Sequence, residues 1–195
     1  MSTTADIHPR SAPSRRRARR NPWLPAAVGG SFVLLVLLLY LADGAFPTLF
    51  ARDLGQVDRV VVLKSERRLL LYDGGERVAS YRIALGADPT GHKTFRGDSR
   101  TPEGLYTLDY RNEDSQFYRS IHISYPNAAD RAAGREADVP TGGNVMIHGL
   151  PNGKGWLGSL YNRRDWTDGC VAVSNRQMVE IWRAVPDGTP IEIKP

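Results

Sequence analysis

Two kinds of hydrophobic pattern divide the chain. Residues 23–42 form a stretch of twenty without a charge, most apolar over 32–42. Beyond residue 55 the apolar positions come in short runs, many rich in β-branched residues, broken by glycine, proline and asparagine, which is the pattern of strands and turns. Such runs lie at 57–64, 69–72, 78–85, 104–110, 120–125, 144–148, 170–173 and 191–193. Asp73-Gly74-Gly75-Glu76 predicts a hairpin turn between the second and third of these. One segment keeps helical spacing. Met178, Ile181, Trp182 and Val185 share a face, Ser174 or Asn175 stands where a cap is needed, and Pro186-Asp187-Gly188 ends it. Loops are expected over 86–103, 126–143 and 149–168. The pattern predicts a mainly-β fold, a β-sandwich or partly closed barrel with one C-terminal helix, preceded by a single N-terminal transmembrane helix.

At 1.5 Å per helical residue, the uncharged stretch would cover about 30 Å, the thickness of one hydrocarbon core. Trp23 and Tyr40 lie near its two ends, where an aromatic belt would sit. Arg10, Arg15, Arg16, Arg17, Arg19 and Arg20 precede it with Asp6 as the one acid, so this tail carries the whole formal net charge of +5. The remainder is balanced. A nucleic-acid interface needs cations clustered where it meets phosphate, and no such run exists past the tail, so no nucleic-acid partner is expected. Arginines on the N-terminal flank keep that side cytoplasmic and send the rest of the chain across the membrane. The organisation expected is a basic cytoplasmic tail (1–22), an anchor or signal sequence (23–42), a linker (43–55) and a folded domain (56–195). Ala42, Gly44 and Ala45 leave a cleaved signal peptide open. A buried helix of a soluble protein is the third reading, disfavoured by the adjacent arginines, which also suit contact with anionic lipid.

The chemistry of the domain is sparse. Cys170 is the single cysteine, which excludes an intramolecular disulfide framework and a cysteine-rich zinc module, and with four histidines in all (His8, His92, His122, His148) no histidine-rich metal site is expected. A lone cysteine is commonly a small buried apolar residue, but an unpaired thiol in an oxidising compartment is a liability unless it has a use. A cysteine nucleophile needs a base nearby. His148 ends the apolar run 144–148, and two strands lying side by side would bring it to Cys170; the bland reading is a hydrogen-bonded structural histidine. No histidine follows Cys170, which excludes the papain-like order of cysteine before histidine. The 149–168 loop mixes Trp156, Tyr161, Arg163, Arg164 and Trp166, a composition suited to a carboxylate-bearing ligand, or to packing the loop onto the sheet.

His148-Gly149, a spacer, Thr167-Asp168-Gly169-Cys170-Val171 and a following Asn175 together resemble the L,D-transpeptidase catalytic domain (YkuD-like). The likeness extends upstream through Lys64-Ser65-Glu66-Arg67-Arg68-Leu69, Gly91-His92-Lys93 and Thr101-Pro102-Glu103-Gly104 with Tyr106, covering about residues 57–195. The resemblance implies that Cys170 attacks a carbonyl in a peptidoglycan stem peptide, forming a thioester, and that His148 holds the thiolate as imidazolium and passes the proton to the leaving amine. It implies that the Gly149 carbonyl orients the imidazole and that the backbone amides of Gly169 and Cys170 donate to the oxyanion. Substrate-binding candidates are Arg163, Arg164, Trp166, Asp168 and Asn175. Peptidoglycan stem peptides are the implied partner, and the implied location is the periplasmic side of a bacterial cytoplasmic membrane, with a single-pass anchor.

Two positions depart from the family's pattern. Asp168 stands where the family carries histidine, and its charge opposes a thiolate at Cys170 unless it pairs with His148 or an arginine. Ala172 stands where an arginine is frequent, so Arg163 or Arg164 would have to meet a substrate carboxylate. These departures keep two alternatives in play: a hydrolase that cuts L,D cross-links or protein attachments, and a catalytically decayed peptidoglycan-binding envelope protein. A sortase-like reading would use His122, Cys170 and Arg183.

Overall fold

The computed structural model describes the backbone of residues 24–195 and side-chain exposure from residue 29, except at Ala42; the arginine tail and Trp23 lie outside the described residues. The chain divides into two compact units, residues 1–35 and residues 36–195. Two helices come first, α1 (Leu24–Asp43) and the short α2 (Ala45–Leu49). Side chains from Phe32 to Tyr40 on α1 are exposed. Among the described residues no helix is long and apolar enough to cross a membrane.

The second unit is built on one sheet. Its strands are β1 (Arg59–Leu63), β2 (Arg68–Asp73), β3 (Glu76–Arg82), β4 (Gly104–Asn112), β5 (Ser120–Ile123), β6 (Met146–His148), β7 (Val171–Ala172) and β8 (Thr189–Lys194). The eight strands run in the order β3-β2-β1-β8-β4-β5-β6-β7. Past the end of β3 the chain reaches the opposite edge, where Ala84 exchanges hydrogen bonds with Ala172 of β7 at 2.9 and 2.8 Å. The sheet therefore curls into a partly closed barrel, and the two-layer sandwich is not what forms. The physical reason lies in Ile83, Ala84 and Leu85, which are all buried and continue the apolar run of β3 across the gap.

The core lies on the inner face of this curl. Val60, Val62, Leu69, Leu71, Leu108, Ile121, Ile123, Ile147, Val171 and Ile191 meet Met178 and Ile181 of α4 (Asn175–Ala184). Burying each such side chain contributes about 1.5–3 kcal/mol. Ser174 caps α4 in a capping box with Gln177, which leaves Asn175, the other candidate cap, free for contacts elsewhere.

The helix count exceeds expectation. A further helix, α3 (Ala128–Glu136), occupies the predicted 126–143 loop, started by a capping box between Asn127 and Asp130. Within the predicted 149–168 loop, Gly155–Arg163 coils as two short 3₁₀ turns broken at Gly158. The Asn127–Asp130 capping signal is present in the sequence, but neither segment carries a long apolar stripe.

The 43–55 segment is no free linker. Pro47 is buried, the Thr48 carbonyl accepts from Arg183, and Arg52 binds Glu180 of α4 through its backbone N–H at 3.1 Å and its guanidinium at 2.8 Å. The Glu180 carboxylate has no exposed surface and also accepts from the Tyr81 hydroxyl at 2.8 Å. Burial would push this acid up, but its hydrogen bonds to Arg52 and Tyr81 hold it below the usual carboxylate range. Glu180→Ala should cost about 1–3 kcal/mol in urea unfolding, because it leaves the buried Tyr81 hydroxyl without its acceptor and takes the anchor on α4 from the half-exposed Arg52.

Candidate active site

The strand β7 is two residues long, and its parallel pairing with β6 builds the site: Ile147 faces Val171 and His148 faces Ala172. Ile147 and Val171 point into the core with no exposed surface. Alternation along a strand then sends His148 to the opposite face, together with Cys170 just before β7. The pairing is held on one side by the Val173 N–H on the His148 carbonyl at 2.9 Å, and on the other by Ala84. Ala172, where the family frequently carries arginine, is wholly buried between these neighbours and has no room for a long side chain.

His148 is 3% exposed. Its Nδ1 lies 2.6 Å from the Gly149 carbonyl oxygen, so the neutral ring donates there and keeps Nε2 as its basic nitrogen. Phe117 lies against the ring at 4.6 Å between centroids, and Trp166 meets it edge-on at 5.7 Å. Trp166 is itself fastened by Tyr161 and by a hydrogen bond to Asn162, whose side-chain amide bonds the Ala172 carbonyl. The loop tryptophan thus walls the histidine, while Trp156 remains exposed. Burial drives the imidazole down to about 4, opposed by the bond to Gly149.

Cys170 is half-buried, with its Sγ 3.8 Å from the Asn144 carbonyl. Burial pushes its thiol up. A backbone hydrogen bond at Met146 and the charge of Lys93 oppose that rise, and Asp168 reinforces it. The two directions favour a resting pair of neutral thiol and neutral imidazole, where the resemblance implies an ion pair. The physical reason is desolvation: no ion pair between the two repays the cost of taking both charges out of water.

Gly169 shapes the approach to the cysteine. Its φ is +123°, and a Cβ there would lie 2.5 Å from the Arg100 carbonyl oxygen, so no other residue fits. The Thr167 hydroxyl accepts from the Gly169 N–H at 3.2 Å and donates to the Cys170 carbonyl at 2.8 Å. The Gly169 amide is therefore occupied, and the Cys170 amide, without a protein acceptor among the described residues, is the better placed oxyanion donor.

A polar cleft of about 490 Å³ adjoins this turn, lined by Lys93, Arg96, Gly142, Asn144 and Asp168 among others. Lys93 is buried and neutralised by Asp98 at 2.6 Å. Arg96 and Asp168 are exposed and have no ion-pair partner among the described residues, so Asp168 pairs neither with His148 nor with an arginine. Arg163 and Arg164 are exposed outside this lining; the cleft's cation is Arg96, a residue that carries no local motif. Asn175 is buried away from the cleft, its Oδ1 accepting from the Leu150 N–H at 2.8 Å. Phe117 likewise escaped notice, since only tertiary packing sets it on His148.

The other two histidines among the described residues fall elsewhere. His92 Nδ1 accepts from the Glu103 N–H while Nε2 lies 3.1 Å from Asp130, a structural knot. His122 binds Asp109 at 2.6 Å and stacks on Tyr110, and Arg183 on α4 donates to Thr48. The sortase-like trio is not assembled.

Comparison with known proteins shows the family of the domain. The family model of the L,D-transpeptidase catalytic domain (YkuD) matches residues 57–193. YafK of Escherichia coli strain K12, named as a candidate L,D-transpeptidase, is 35% identical over 134 residues, covering 65% of this chain and 46% of that protein. The chain thus spans about half the length of the curated relatives it matches. Among solved structures, the helical cell shape determining protein Pgp2 of Campylobacter jejuni aligns with TM-score 0.54 and 24% identity, covering 80% of this chain and 54% of that one. Its K307A variant aligns with TM-score 0.55. The match over more than half of the chain settles its kinship: it belongs to the L,D-transpeptidase catalytic domain family.

Proposed function

We propose that the protein transfers peptidoglycan stem-peptide acyl groups through a Cys170 thioester, in cell-wall remodelling. The observation that carries this reading is the placement of Cys170 beside β6, with His148 Nδ1 already committed to Gly149 and Nε2 left as the base. The substrate carbonyl seats beside Cys170, and the Arg96–Asp168 cleft takes its polar flank. His148 Nε2 withdraws the thiol proton as the S–C bond forms, and the Cys170 amide donates to the developing oxyanion. The tetrahedral adduct collapses by breaking the C–N bond, and the imidazolium returns its proton to the leaving amine. An acceptor amine then attacks the thioester, its proton passes to His148, and the S–C bond breaks to free the thiol. Water in place of the amine gives hydrolysis.

The reading extends to location. No described helix is by itself long and apolar enough to cross a membrane, but the uncharged stretch 23–42, the six preceding arginines and the exposed apolar side chains from Phe32 to Leu39 support an anchor or signal sequence that puts the sheet domain on the extracytoplasmic face.

Incubating the full-length protein with tetrapeptide-stem and cross-linked muropeptides, followed by mass spectrometry, tests the chemistry. A new cross-link or exchanged terminal D-amino acid that vanishes with Cys170→Ala is expected. Cysteine-dependent cleavage without exchange identifies the hydrolase, and unaltered substrates throughout identify a binding protein.

Alkylation of Cys170 by iodoacetamide should keep rising above pH 9, the ordinary thiol value, because burial raises this one. Asp168→Asn removes a charge that opposes the thiolate and should speed the reaction at pH 7 by roughly two-fold.

His148 also links stability to acid. The unfolded imidazole takes its proton near 6.5 and the folded one only near 4, so protonation favours unfolding. Stability should be full above pH 6.5 and decline by about 3 kcal/mol as the pH falls towards 4. His148→Ala should lack that component of the denaturation profile.

A further inference from the structure

The bond from His148 to Gly149 is one end of a longer arrangement. The Gly149 carbonyl and the Leu150 N–H belong to the same planar peptide unit, so holding one fixes the other. The Leu150 N–H donates to Asn175 Oδ1 at 2.8 Å, and the imidazole meets the carbonyl end at 2.6 Å. Asn175 is 2% exposed, and its other side-chain atom, Nδ2, donates to the Asp43 carbonyl at 3.1 Å. With its oxygen on a donor and its nitrogen on an acceptor, this amide has one orientation available. Asp43 in turn closes the loop after β6, its carboxylate accepting from the Gly153 N–H at 2.9 Å and the Gly155 N–H at 2.5 Å.

The space around the relay admits no slack. A Cβ on Gly149 would lie 2.8 Å from Asn175 Oδ1 and 2.9 Å from Tyr118 Cβ; one on Gly155 would lie 2.4 Å from Asn175 Nδ2. Both glycines let the amide approach the backbone closely. In the capping of α4 it is Ser174 that serves, so Asn175 contributes nothing there that alanine would not.

We propose that Asn175 is a positioning residue for His148, and that Asp43, preceding the sheet domain, completes the same hydrogen-bonded relay. Asn175 aims the Gly149 carbonyl at Nδ1 and thereby keeps the basic Nε2 available to Cys170; Asp43 keeps Asn175 from turning away. The acceptor that orients the imidazole is thus governed by a residue from the segment between the apolar stretch and β1. This rests on the proposed role of His148 as base.

The test uses ¹⁵N-labelled full-length protein in detergent, read by imidazole NMR and by the rate of Cys170 alkylation. Neither readout needs a turned-over substrate, so the relay is judged even if the muropeptide assay is negative. The wild type should show one slowly exchanging Nδ1–H tautomer of His148. Asn175→Ala should give mixed tautomers and alkylation slowed about ten-fold, the scale of one lost hydrogen bond at a reacting group. Asn175→Asp keeps the acceptor for Leu150 but sets its second oxygen against the Asp43 carbonyl, so it should recover only part of both. Asp43→Ala keeps the backbone carbonyl on Asn175 Nδ2 and removes only the carboxylate's bonds to Gly153 and Gly155, so it should lose less than Asn175→Ala, and it serves where Asn175→Ala does not fold. Glu180→Ala is the control for a merely structural loss; it should lower the melting temperature while leaving the tautomer intact. A wild-type tautomer and rate in Asn175→Ala overturns the proposal, as does an equal loss of the tautomer in Glu180→Ala. On muropeptides, where turnover occurs, Asn175→Ala should lower kcat with KM unchanged.

Discussion

Everything functional in this protein hangs on the parallel pairing of β6 with β7, two residues against two. A pairing that short does not hold itself. It is sustained because Ile147 and Val171 are buried in the core, and because Ala84 binds the far side of Ala172. The same pleat that turns those side chains inward turns His148 and Cys170 outward together. A slip of one residue would reverse both faces, turning the histidine into the apolar core and taking the isoleucine out of it, so core packing enforces the register of the site.

Desolvation is the second constraint. The imidazole is enclosed by Phe117 and Trp166, and the thiol is half-buried, so each is held in its uncharged form. This arrangement stores no thiolate at rest, and the proposed chemistry would form one only as a substrate carbonyl and an oxyanion donor come into place. The Asp168 carboxylate, unpaired among the described residues and reinforcing the high thiol value, fits that resting state better than it fits a preformed ion pair.

The segment 43–55 joins these features to the rest of the chain. Composition marks it as a linker, since it mixes glycine, proline and charges, but its polar groups find buried partners on α4 and the loop after β6. A buried carboxylate such as Glu180 needs a cation, and Arg52 supplies it from that segment.

By itself, the sequence determined the elements with strong local signals. Period-two and β-branched runs located the strands within a few residues, the Asp73–Glu76 turn set the hairpin, and the stripe Met178–Ile181–Trp182–Val185 with its cap and Pro186 set α4. The order His148-Gly149 before Gly169-Cys170 singled out the proposed nucleophile and base, because those residues are few and their spacing along the chain is visible. Tertiary structure alone decided the rest. It curled one sheet where two were allowed, put Phe117 on the imidazole, made Arg96 and not Arg163 or Arg164 the cleft's cation, and turned Asn175 from a substrate candidate into a clip on the Leu150 N–H. Local propensity records what a residue prefers among its chain neighbours, whereas burial, desolvation and hydrogen-bond partnership depend on which distant segments arrive beside it, and those are settled only when the core closes.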